Sequence, residues 1–250
     1  MEQWERRKFD TLEATGYLPA LRTYAQSLCA PVWWWIQAHG RPPRVVHGGT
    51  ACLVDTGTRR LAITCHHVLK GLRKDRKKFK TLRCQIGNVP FDETTLIDSD
   101  EATDIATFAL GDSLPTKRIY EAAGWPPAPL VRGDSVMLAG FPSVLRQVQD
   151  ANTLRSDFLV LLGKAENPTD RHMTIRINET YWPAGSDRLP SQADLGGMSG
   201  GPVFRRRSDD LEDIEIAAFI YESHTEFAIV CTMQAWCVMV DGRINRATHL

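Results

Sequence analysis

Hydrophobic residues in this chain gather in short runs separated by glycine, proline and charged turns. Leu61-Ala62-Ile63-Thr64-Cys65, Ile105-Ala106-Thr107-Phe108-Ala109-Leu110 and Val136-Met137-Leu138-Ala139 are examples. Short apolar runs bounded by turn formers predict buried strands. Strands are predicted near 32–38, 48–55, 61–67, 81–86 and 104–110, then near 134–140, 157–164, 172–178, 201–206, 214–221 and 227–239. One segment breaks the pattern. Leu21, Tyr24, Ala25 and Leu28 recur at helical spacing, which predicts an amphipathic helix over about 18–29, ended by Pro31. Lys70 to Arg83 carries eight basic residues interrupted by Asp75 and predicts a solvated loop. Pro115, Pro126, Pro127 and Pro129 mark a connection between two sets of strands. The expected organisation is a helical extension at 1–30, a first strand set at 31–112, a linker at 113–130 and a second strand set at 131–250.

Composition narrows the function classes. Thirty basic and thirty acidic residues cancel, so no chain-wide basic field invites nucleic acid. Val32-Trp33-Trp34-Trp35-Ile36 is the most hydrophobic run and is too short to span a bilayer. The charged start, Met1-Glu2-Gln3-Trp4-Glu5-Arg6-Arg7-Lys8, lacks the apolar core of a signal peptide. The expectation is a cytoplasmic protein whose six cysteines (Cys29, Cys52, Cys65, Cys84, Cys231 and Cys237) are reduced. None forms a C-x-x-C pair, so no structural zinc site is expected.

The chemistry concentrates in Gly197-Met198-Ser199-Gly200-Gly201-Pro202. Glycines around a serine let successive N–H groups converge beside its oxygen, as an oxyanion hole requires. Gly197 and Ser199 are the candidate donors, each worth about 3–4 kcal/mol in comparable sites. Two other segments supply partners: the run that ends in His66-His67, and Asp104 ahead of Ile105. Thirty-seven residues separate His67 from Asp104, and ninety-five separate Asp104 from Ser199. Serine needs a base, histidine can act as one, and a carboxylate can fix the imidazole tautomer. The chain order histidine, aspartate, serine differs from that of α/β-hydrolases and subtilisins. Strand alternation sends His66 and His67 to opposite faces, so only one can serve Ser199. The same alternation puts Cys65 on the face of His67, where core packing is its expected role.

These motifs resemble the trypsin/chymotrypsin-like serine peptidases, and among them bacterial members such as the high-temperature-requirement proteases. Thr64 to Val68 resembles their histidine signature, Asp104-Ile105-Ala106 their aspartate signature, and Ser199-Gly200-Gly201-Pro202 their nucleophile turn. Arg132 to Pro142 resembles the opening strand of their second barrel. The resemblance implies an all-β fold of two six-stranded antiparallel barrels, with His67 and Asp104 on the first and Ser199 on the second. It implies a serine endopeptidase with a His67–Asp104–Ser199 triad, a protein or peptide substrate, and no metal or cofactor. Its specificity pocket is built just before the nucleophile and on a later strand, here Ser191 to Gly196 and Ile220 to Ser223. Asp194, Tyr221 and Glu222 are the substrate-binding candidates, and the two acids would favour a basic side chain.

Secreted members carry an aspartate just before the nucleophile, which pairs with a new N-terminus after zymogen cleavage. Met198 stands there, so activation by that ion pair is not expected. Val68 replaces the cysteine that secreted members place after the histidine. With the sequence ending at residue 250, no appended peptide-binding domain is expected. A regulatory protein partner, an esterase or acyl transferase using the same triad, and a catalytically silent double-barrel binding module stay open as alternatives.

Overall fold

The computed structural model describes residues 16–36, 44–111, 119–121, 124–148, 154–177, 195–206, 214–224 and 229–246. Helix α1 (Tyr17–Ser27) stops before Leu28, and strand β1 (Cys29–Ile36) begins at once. Pro31 therefore lies inside β1 and does not end the helix. Strand β2 (Arg44–Asp55) turns through Gly57 into β3 (Arg60–Cys65), with the Gly57 N–H bonded to the Asp55 carboxylate. Then come helix α2 (His66–Lys78), β4 (Leu82–Ile86), β5 (Val89–Pro90), β6 (Leu96–Asp100) and β7 (Ile105–Ala109). Their sheet runs β5-β4-β1-β2-β3-β7-β6, and the short β8 (Tyr120–Glu121), within the expected linker, pairs in parallel with β2.

Helix α2 corrects the expected loop and the expected extension of β3 to residue 67. Its buried side chains are Val68, Leu69, Leu72 and Asp75, a helical stripe. The basic residues cover the outer face, and Arg76, Lys77 and Lys78 favour the negative end of the helix dipole. Asp75 accepts a hydrogen bond from Trp34 Nε1 at 3.0 Å, which satisfies both groups inside the sheet's cover.

The second half contains β9 (Ser135–Gly140), β10 (Arg146–Val148), β11 (Leu154–Ser156), β12 (Leu159–Glu166), β13 (His172–Ile177), β14 (Pro202–Arg206), β15 (Ile214–His224) and β16 (Ile229–Gln234). Strands β10 and β11 form a separate hairpin. The other six close into a barrel in the order β12-β13-β16-β15-β14-β9. The architecture is the chymotrypsin-like double β fold, with a closed second barrel and a half-barrel sheet in place of a closed first one.

Three hydrophobic clusters organise the packing. One lies inside the first sheet, around Trp34, Leu53 and Phe108. A second fills the closed barrel, around Leu138, Ile175 and Val203. The third joins the halves: Cys52, Ile63 and Ile105 meet Phe141, Phe204 and Trp236, with Ala25 and Leu28 of the α1 segment in the same cluster. Arg22 of α1 also donates to the Phe158 carbonyl at 3.0 Å. Thus α1 seals the seam between the halves by burying its apolar stripe.

Candidate active site

Asp104 has a left-handed backbone, φ 49°, an uncommon conformation outside glycine that aspartate tolerates better than most residues. This bend ahead of β7 aims its carboxylate at the start of α2. Oδ1 accepts the His67 N–H at 2.8 Å, and Oδ2 lies 2.6 Å from His67 Nδ1. The Asp104 carbonyl accepts the His66 N–H at 3.0 Å. Cys65, the residue before α2, gives no side-chain cap, so a residue distant in sequence caps this helix. The same carboxylate that satisfies the helix end fixes the imidazole. With Nδ1 so held, Nε2 is the nitrogen left to face a reacting proton.

Helix geometry, not strand alternation, separates the two histidines. His67 is exposed and held by Asp104, whereas His66 is half-buried with an Nδ1 that finds no partner among the described residues. Cys65 is buried at the N-cap, not on a strand face shared with His67. Its thiol donates to the Ile220 carbonyl at 3.1 Å, and burial, then the Asp104 charge, push it well above the ordinary thiol range. A thiol with its proton so committed is a poor nucleophile. Donor atoms of Cys65, His67 and Asp104 lie within 4.8 Å of one another. The Cys65 thiol is engaged by the Ile220 carbonyl, and His67 Nδ1 by Asp104.

The Ser199 turn belongs to the other half. Gly197 and Gly200 have φ of 95° and 88°, which side chains rarely tolerate. At Gly200 a Cβ would also collide with the Thr50 carbonyl and lie 2.6 Å from Thr64 Oγ1. Met198 is buried in the barrel core, so packing anchors the position where secreted relatives use an ion pair. The Ser199 hydroxyl donates to the Tyr221 carbonyl at 3.3 Å. The Gly197 and Ser199 N–H groups have no backbone acceptor among the described residues.

Several contacts bring this turn to the His67 segment. The Ile220 carbonyl accepts both the Gly200 N–H at 2.7 Å and the Cys65 thiol. A Cβ on Gly49 would lie 2.8 Å from Val68 Cγ2 and 3.0 Å from the Ser199 carbonyl oxygen. Thr50 N–H donates to that same oxygen at 2.8 Å. The Thr50 hydroxyl donates to the Gly197 carbonyl at 2.9 Å and accepts the Phe141 N–H at 3.0 Å. Sequence reading placed Thr50 only in a strand; its hydroxyl is a brace of the nucleophile turn.

The substrate-binding candidates separate. Tyr221 offers its carbonyl to Ser199, and its ring stands edge-on to His172 at 5.5 Å. Burial, then the neighbouring Cys231, push the Tyr221 hydroxyl up to about 12, so it stays neutral. Glu222 is exposed beside it. Asp194 lies outside the described residues.

The paired β halves, with a turn-borne serine on one and a carboxylate-held histidine on the other, define the chymotrypsin-like class of fold. The sequence profile of the trypsin-like peptidase domain matches residues 49–210. The chain belongs to that family, which supports a serine protease function of the trypsin-like kind. No curated protein matches it.

Proposed function

We propose that the chain is a serine endopeptidase that works through Ser199, His67 and Asp104 and an acyl-enzyme. The observation that carries this is the double grip of Asp104 on the His67 ring and N–H, on a helix start tied through Ile220 to the Ser199 turn. The Ser199 proton rests on the Tyr221 carbonyl. Rotation about the Ser199 side chain transfers it to His67 Nε2 as Oγ attacks the scissile carbonyl carbon. Asp104 stabilises the imidazolium that forms. The Gly197 and Ser199 N–H groups bind the oxyanion. His67 then gives the proton to the leaving amine, and water releases the acyl group by the same steps in reverse. The subtype we favour is that of the high-temperature-requirement proteases, on the strength of Asp104-Ile105-Ala106 and of the buried Met198.

The test is covalent. Intact-mass spectrometry after fluorophosphonate treatment should show one adduct on the wild-type protein, mapped to Ser199, and none on Ser199→Ala. An adduct on Cys65, or no adduct on folded wild type that also fails to cleave a peptide mixture, overturns the proposal.

A further inference from the structure

Arg146, the first residue of β10, sends its guanidinium into the seam between the halves. A Cβ on Gly197 would lie 2.5 Å from its Nη2, and a Cβ on Gly48 would lie 2.7 Å from its Nη1. Backbone already calls for glycine at both places, through the Val32 carbonyl that a Gly48 Cβ would strike and the φ of 95° at Gly197, and the guanidinium lies against the space the two missing side chains leave. Its one hydrogen bond among the described residues is from Nη2 to the Phe141 carbonyl at 3.3 Å, and its Nε is buried without a partner. The contrast with other arginines is plain. Arg205 meets Glu215 and Asp134, and Arg246 meets Asp98 and Asp100. No carboxylate among the described residues meets Arg146. Burial lowers its pKa to about 10, and no acid among the described residues offsets that cost.

Position indicates what would compensate it. The Ser199 turn is held on one side by β15, through the Tyr221 and Ile220 carbonyls, and on the other by β2, through Thr50. The acyl-side pocket expected for this family lies on the β15 side. Gly48, two residues before Thr50 on β2, puts Arg146 on the other side; with the acyl group of the proposed reaction toward β15, the leaving group would lie toward Arg146. A planar guanidinium there suits a carboxylate, which it can grip with two parallel N–H donors.

We propose that Arg146 is a specificity-determining residue that selects substrates carrying a carboxylate just after the scissile bond. This rests on the protease reading of Ser199. The carboxylate is either an Asp or Glu side chain or the free C-terminus of a short leaving peptide, and the test separates these sources.

Full-length protein is incubated with a proteome-derived peptide mixture, cleavage sites are mapped by mass spectrometry, and Ser199 labelling by fluorophosphonate is followed in parallel. Peptides matched to the best site then carry Glu, Gln or Lys after the scissile bond, with the C-terminus free or amidated. The expected preference is about tenfold in kcat/KM for Glu over Gln, the scale of one desolvated charge-assisted contact. Arg146→Gln should erase it, and Arg146→Glu should shift preference toward Lys, a gain that misfolding cannot imitate. A preference that survives amidation identifies an acidic side chain; one lost on amidation identifies the terminal carboxylate. Where Arg146→Gln fails to fold by circular dichroism, Arg146→Lys replaces it and should show a smaller Glu-to-Gln ratio than wild type. Labelled, active wild type with no such carboxylate preference, or a preference unchanged in the folded variant, overturns the assignment of Arg146 alone. Absence of Ser199 labelling and of any cleavage overturns the protease reading and this proposal with it.

Discussion

The two halves of the molecule build their parts of the site by different means. In the half-barrel, the His67–Asp104 pair is self-contained: one carboxylate from the start of β7 caps α2 and holds the imidazole, and among the described residues neither side chain takes a hydrogen bond from the other half. In the closed barrel, the Ser199 turn is not self-contained. Its carbonyls at Gly197 and Ser199 are satisfied by Thr50 of β2, and Gly200 packs onto Thr50 and Thr64. Thus the base and its orienter need only a correctly folded half, whereas the nucleophile turn needs both halves docked. The active geometry is thereby coupled to the seam.

The largest effects should come from the self-contained pair. His67→Ala is expected to lower kcat by about 10⁴-fold to 10⁶-fold, as loss of a triad base does elsewhere. His66→Ala should stay within about tenfold of wild type, since His66 contributes a backbone N–H to Asp104 and this survives the change. Asp104→Asn should cost about 10³-fold to 10⁴-fold by presenting the wrong imidazole tautomer. Steady-state kinetics on one peptide substrate rank all three. Comparable losses for the two histidines would break the idea that a single helix position carries the base.

The borrowed contacts predict a smaller, mixed effect. Thr50→Val keeps the shape but leaves the Gly197 carbonyl and the Phe141 N–H without their bonds in a fully buried place. The expected loss is about 2–4 kcal/mol of stability, with a fall in kcat larger than the change in KM. Thr50→Ser restores the hydroxyl and should recover most of both. Urea unfolding and steady-state kinetics measure the two quantities. If Thr50→Val alters stability but leaves kcat untouched, the turn does not depend on the first half.

Much of this contrast was legible in the sequence, and the part that was not has a physical cause. Glycine spacing exposed the Ser199 turn because only glycine accepts the φ values at Gly197 and Gly200. Strand runs were legible because Leu53, Ile63, Phe108, Leu138 and Ile175 are buried in their sheets. Helix α2 was hidden because its stripe holds only three apolar residues and the polar Asp75, under a crowd of lysines and arginines that are themselves good helix formers. Pro31 misled because β1 follows α1 without a turn residue to mark the change. The bracing role of Thr50 and the placement of Arg146 in the seam depend on contacts between residues 91 and more positions apart, or on space left by a missing side chain. Nothing in a local window records such contacts.

The smallest expected effect sharpens the comparison by testing a tie that joins the halves without touching the nucleophile turn. After β16 the chain returns to the first sheet. Thr107 donates to the Gly242 carbonyl at 2.5 Å and Thr56 to the Val240 carbonyl at 2.6 Å. Arg246 grips Asp98 at 2.6 and 3.0 Å and reaches Asp100 at 3.3 Å. Burial raises the pKa of both acids, but Arg246 and the nearby N–H and hydroxyl donors outweigh it and hold them below the ordinary carboxylate value. Carboxylates depressed in this way add stability above their unfolded pKa and lose it as pH falls through the folded one. Arg246 is half exposed, so solvent screening limits the contact to about 1 kcal/mol, or about 2–4 °C in a protein of this size. Arg246→Ala should lower the melting temperature by that amount at pH 7 and leave kcat/KM unchanged. The gap between variant and wild type should close as pH falls below about 3.9, the ordinary aspartate value. Thermal melts across that range measure it. A gap that persists undiminished in acid would mean that Arg246 acts through packing and not through the two aspartates. A loss of kcat/KM at pH 7 would mean that any tie across the seam, and not Thr50 in particular, sets the nucleophile turn.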